Sequence, residues 1–209
     1  MQRTAAENKK EFIELLEKYV KRDGIENLIT YLDEQSDFFT SPASTKYHGS
    51  YEGGLVEHSL NVYYSLLDEM KFIYGNNWTT VWSLESVAIV GLLHDLCKAG
   101  RYKKGFRNVK NENGTWETKE VYEYRQDSFR MGHAALSLNI IQKFIILTDE
   151  EAQAIYWHMG AFDTSQYSSP ADLSAAFSSN TLAFALHQAD MIATHIVENE
   201  NFKPVQIES

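Results

Sequence analysis

The stretch Gly91-Leu92-Leu93-His94-Asp95-Leu96-Cys97-Lys98 places an adjacent imidazole and carboxylate at the end of an apolar helical run. Burying such groups without partners costs on the order of 2–7 kcal/mol for a neutral polar group, and more for an ion. A divalent metal removes that cost. Similar residues recur in apolar surroundings on other segments: His58 closes Gly53-Gly54-Leu55-Val56-Glu57-His58, His133 follows Met131-Gly132, His158 closes Ala154-Ile155-Tyr156-Trp157-His158, and Asp190 ends Leu186-His187-Gln188-Ala189-Asp190. Together they give a candidate ligand set of His58, His94, Asp95, His133, His158 and Asp190.

Taken singly, each has an ordinary explanation. His58 on a half-apolar face could be a core histidine bonded to a carbonyl. His158 could be a cation at a helix C-terminus, and Asp190 an ion-pair member. An ordinary core rarely needs so many inward imidazoles and carboxylates on separate helices, and the joint pattern favours metal.

The chemistry follows from the donor types. His58, His94, Asp95 and Asp190 form a nitrogen–oxygen set without thiolate, suited to a divalent transition metal such as Mn²⁺, Fe²⁺, Co²⁺ or Ni²⁺, with Mg²⁺ and Zn²⁺ as further options. His133 and His158 would serve a second ion, with Asp95 bridging the pair across about 3.5–4 Å. Ions so placed acidify water and neutralise phosphate oxygens, so the expected reaction is hydrolysis of a phosphoester or phosphoanhydride bond. Asp95 and Lys98 are the catalytic candidates, Lys98 lying one turn beyond His94 as a point charge for phosphate. Arg101, Arg130, His48 and His187 are substrate-binding candidates. His187, three residues before Asp190, is also placed to orient that carboxylate.

The order H…HD…H…H…D on successive helices resembles the HD superfamily of metal-dependent phosphohydrolases over roughly residues 45–197. Two strings sharpen the resemblance: Tyr47-His48-Gly49-Ser50-Tyr51-Glu52-Gly53-Gly54-Leu55-Val56-Glu57-His58 before and within the first metal helix, and Leu186-His187-Gln188-Ala189-Asp190 in the closing one. Both are similar to the HD domain of bacterial 3′–5′ exoribonucleases. The resemblance implies a helical bundle, one or two divalent ions, a nucleotide-like phosphorylated substrate and a phosphate-binding duty for Lys98. The chain lacks the Gly-Tyr-Pro companion motif of cyclic dinucleotide phosphodiesterases, and it has no room for the OB domain of the exoribonucleases. A compact nucleotide phosphohydrolase is therefore the first expectation. The alternatives are a 3′–5′ exonuclease on short oligonucleotides and a non-catalytic nucleotide-binding regulator.

The elements that must position these groups are mostly helical. Apolar positions Phe12, Leu15, Leu16 and Tyr19 predict a helix over 7–21, and a second is expected over 24–34, together an N-terminal extension within 1–40. Leu55, Val62 and Leu66 carry His58 on an inward face until Gly75-Asn76-Asn77 ends that helix. Ser83 is a predicted N-cap for the helix reaching His94. Residues 107–118 alternate around Asn113-Gly114 and predict a β-hairpin. Helix resumes near Gly132, Thr148-Asp149-Glu150-Glu151 reads as a capping box, residues 163–179 read as a Ser-rich loop or lid, and Asn180 caps the last helix. The fold class expected is mainly α, a single HD-type domain over 1–209 with one small hairpin insertion.

Composition bounds the partners. The 209 residues are 44% hydrophobic, enough for one buried core, and the net charge of −10 opposes long nucleic acid. The single Cys97 forms no internal disulfide, and no long apolar run or charged-then-apolar leader is visible, so a cytoplasmic location without membrane contact is expected. A homo-oligomer remains open.

Overall fold

The computed structural model describes residues 3–111, 113–127, 129, 131–163, 169–199 and 202. Eight α-helices and one antiparallel hairpin are present among them: α1 (Ala5–Tyr19), α2 (Ile25–Thr30), α3 (Gly54–Tyr74), α4 (Leu84–Leu93), β1 (Tyr102–Lys110), β2 (Trp116–Tyr124), α5 (His133–Ile141), α6 (Asp149–Trp157), α7 (Pro170–Ser179) and α8 (Thr181–Ile192). The mainly α expectation holds. Among the described residues no helix is long and apolar enough to cross a membrane.

Helix α3 is the central strut, packed against α1, α4 and α8, while α6 lies against α5 and α8. Leu55, Val62, Tyr63 and Leu66 of α3, Val87 to Val90 with Leu92 and Leu93 of α4, Ala154 and Ile155 of α6, and Leu182, Ala183, Ala185, Leu186 and Ala189 of α8 share one core. Helix α4 is buried along nearly its whole length, so it shows no polar face and delivers His94 into the interior.

Helix boundaries follow capping chemistry. The Ser83 hydroxyl accepts from the Ser86 amide at the start of α4, and Thr148 with Glu151 closes a reciprocal capping box on α6. Glu151 also joins two segments. It accepts from both terminal nitrogens of Arg22 at 2.6 Å, with no exposure of its own side chain. At the start of α3 only glycine fits position 54, because a Cβ there would collide with the Gly49 carbonyl oxygen. That close approach fixes the loop carrying His48 against the helix carrying His58.

Two expectations need correction. The predicted loop or lid over 163–179 is in part a helix: Pro170–Ser179 forms α7, with Pro170 in its first turn and a capping box between Ser169 and Asp172. Residues 164–168 lie outside the described residues. The hairpin is also longer than its turn signal indicated, pairing Tyr102 with Tyr124 at its base and Lys110 with Trp116 near its tip.

Candidate metal centre

His94 and His158 reach the centre by the same local device. Each is the C-cap of its helix, α4 or α6, where the last-turn carbonyls lack amide partners. The Nδ1–H of His94 donates to the Gly91 carbonyl at 2.9 Å, and that of His158 to the Ile155 carbonyl at 2.6 Å. Each bond fixes the tautomer and leaves Nε2 as an acceptor pointing inward. Both rings are fully buried, and neither Nε2 has a hydrogen-bond partner among the described residues. Burial pushes the His94 imidazole down to about 3 despite the nearby Asp95 charge, so it cannot meet its need by protonating. A buried acceptor without a donor costs on the order of 1–3 kcal/mol, which a cation would offset.

Asp95 stands between these groups. It leaves the helix at φ −102°, ψ 18°, outside helical geometry, and its side chain is 3% exposed. Its Oδ2 lies 3.5 Å from His58 Nε2, 3.6 Å from His94 Nε2 and 2.6 Å from Lys98 Nζ. Its Oδ1 accepts from His133 Nε2 at 2.6 Å and lies 3.6 Å from His158 Nε2. The two oxygens thus face two different sets of imidazoles, the arrangement a bridging carboxylate requires. Asp190, from α8, completes the ring with Oδ1 3.2 Å from His58 Nε2.

The donor atoms of His58, His94 and Asp95 lie within 4.8 Å of one another, as do those of His94, His158 and Asp190 and those of Asp95, His133 and His158. These buried groups fit a metal ion by donor type, mutual distance and orphaned acceptors. The charges are strongly biased. Burial raises the Asp95 pKa, but Lys98, His94 and His133 outweigh it and hold the carboxyl well below its usual range. Burial opposes charge on His133, yet the Cys97 sulfur and Asp95 carboxylate lift it to about 10.

The substrate candidates divide. Lys98, Arg101, His48 and His187 all line one cleft of about 270 Å³ that opens over His133, His158 and Asp190. Lys98 is only 12% exposed and pairs with Asp95, so its charge is held at the cleft floor. The Nε of Arg101 and both ring nitrogens of His48 are buried without hydrogen-bond partners among the described residues. His187 differs from expectation: its Nδ1 donates to the His158 carbonyl at 2.7 Å instead of meeting Asp190, and its ring stacks on Phe177 of α7. Gly160 permits this approach, since a Cβ there would lie 2.7 Å from the His187 ring. Arg130 lies outside the described residues.

Two contacts lie outside the ligand pattern of the sequence. Cys97 Sγ lies 3.3 Å from His133 Nδ1, and Glu198 lies 3.0 Å from His58 Nδ1. Cys97 adjoins the His–Asp pair in sequence, a visible cue. Glu198 lies eight residues beyond Asp190, past a π-helical turn over Ala193–Val197 that widens the helix and changes its phase.

No family model and no solved structure matches the chain. Over 106 residues it is 27% identical to a dihydroneopterin 2′,3′-cyclic phosphate phosphodiesterase from Methanocaldococcus jannaschii. That match covers 49% of this chain but only 36% of the relative, so the likeness is to about a third of a longer protein.

Proposed function

We propose that this chain is a metal-dependent phosphohydrolase of the HD type, cleaving a phosphoester or phosphoanhydride bond in a nucleotide-like small molecule. The observation that carries the reading is the convergence of the inward Nε2 atoms of His58, His94 and His158 on Asp95 and Asp190 inside one core. The similarity to a phosphodiesterase supports it and makes cyclic phosphates sensible first substrates. A divalent ion held by His58, His94, Asp95 and Asp190, with a second on His133 and His158, would supply an acidified water at the cleft floor.

The chain's own residues do the rest. Lys98 and Arg101 set positive charge beside the position of a bound phosphate, where charge placed in advance stabilises the transition state most. His48 adds one ring N–H free to donate to a phosphate oxygen; burial, with the Lys98 charge, holds it down to about 4 and hence neutral. Met159, Phe162 and Met191 give the cleft an apolar wall for the organic part of the substrate. Chromatographic product analysis of nucleoside mono-, tri- and cyclic phosphates incubated with Mn²⁺, Fe²⁺ or Co²⁺ tests the reading, detecting phosphate or pyrophosphate lost from the first two and ring-opened monoester from the third. Metal-dependent turnover of at least one class is expected. Tight nucleotide binding without any turnover would replace it with the regulator reading.

One observation favours the short-oligonucleotide alternative. The hairpin face that starts at Tyr102 and Tyr124 in the cleft wall continues outward through Tyr122, Lys104, Phe106, Lys110 and Trp116. Exposed aromatic rings beside lysines suit stacking of successive bases, with Glu120 on the same face paired to Lys104 at 3.3 Å. Trp116, 65% exposed, reports on this directly. On that reading its fluorescence is quenched by oligonucleotides but not by mononucleotides, and equal silence toward both removes the alternative.

A further inference from the structure

His58 does not have the local device that fixes the other two inward histidines. It is the fifth residue of α3, so the carbonyls one turn back are already committed to helix amides. Its Nδ1–H must find an acceptor elsewhere. Glu198 provides one: Oε1 and Oε2 lie 3.0 and 3.2 Å from His58 Nδ1. Glu198 is itself held, since Asn61 Nδ2 donates to Oε1 at 3.0 Å from the same face of α3, one turn beyond His58. The carboxylate side chain is 6% exposed. The Ala193–Val197 π-turn delivers it across 140 residues of sequence separation.

We infer that Glu198, clamped by Asn61, is a positioning residue for the metal centre: it holds His58 with Nδ1 protonated and Nε2 aimed at the ion. Glu198 thereby does for His58 what the Gly91 and Ile155 carbonyls do for His94 and His158. A carboxylate acceptor adds basicity to the imidazole, which strengthens it as a ligand. The inference rests on the metal reading above and adds a named residue outside its ligand set.

Calorimetric titration of Mn²⁺ into chelator-treated full chain tests it, with the wild type, Glu198→Ala, Glu198→Gln and Asn61→Ala compared after circular dichroism has shown each to be folded. Glu198→Ala is expected to weaken Mn²⁺ binding about 10–100-fold with the number of ions per chain unchanged. Glu198→Gln, whose side-chain oxygen still accepts from Nδ1–H, recovers most of that loss, and Asn61→Ala loses less than Glu198→Ala. Wild-type affinity in Glu198→Ala overturns the inference. So does loss of one whole ion per chain, which would make Glu198 a direct ligand together with His48. If the wild type takes up no Mn²⁺, the metal reading itself fails and this inference falls with it.

Discussion

Replacing Asp95 with asparagine keeps the shape of the central side chain and removes its charge. In the wild type that carboxylate receives Lys98 Nζ and His133 Nε2, both at 2.6 Å, with 3% of its side chain exposed. Its pKa is depressed in the folded chain, so its stabilisation is fully present above the ordinary carboxylate value and is lost as pH falls through the lower folded one. At pH 7 the whole contribution is in force. Removing one partner of a buried pair costs about 3–5 kcal/mol, because the other charge stays buried without compensation. For a domain of this size each kcal/mol shifts Tm by about 2–4 °C, which puts Asp95→Asn about 6–20 °C below the wild type. Adding Mn²⁺ at a hundred times Kd should stabilise the wild type by about 2.7 kcal/mol and leave the variant unchanged. Thermal melts at pH 7 with and without Mn²⁺ read both effects. A variant that melts within about 2 °C of the wild type, or that gains as much from Mn²⁺, would refute the central place given to Asp95.

Three further outcomes follow from particular contacts. Lys98→Ala should lower kcat about 10²–10³-fold in a phosphate-release assay, and unchanged turnover would remove Lys98 from the phosphate site. Glu151→Ala breaks the paired contact to Arg22 and the α6 capping box, so urea unfolding should show a loss of about 3–5 kcal/mol; a loss below about 1 kcal/mol would contradict the buried-pair account. Gly54→Ala forces a Cβ against the Gly49 carbonyl and should lower stability measurably in the same assay, whereas a neutral result would mean that the His48 loop is free to shift.

The helices that bring the candidate ligands together are legible because each of these residues interrupts an apolar run at a helix end or on an inward face, and burial of an imidazole or carboxylate there demands a reason. The caps at Ser83, Thr148 and Asn180 were equally local and appear where the sequence puts them. Helix α7 forms against a serine-rich composition that suggests a loop, because Ser169, Pro170 and Asp172 spell a helix start. Glu198 could not be found by pattern: only a π-turn and the packing of α8 against α3 bring it to His58. The role of His187 likewise depends on Gly160 admitting its ring, a tertiary fact that spacing from Asp190 does not carry.

Anomalous diffraction from crystals grown with Mn²⁺ or Fe²⁺, recorded on both sides of the metal absorption edge, locates the ion itself. A peak is expected about 2.0–2.2 Å from the donor atoms of His58, His94, Asp95 and Asp190, with a second beside His133 and His158 if Asp95 bridges. A map with no peak among these residues, or with its only peaks elsewhere on the chain, would contradict the metal reading.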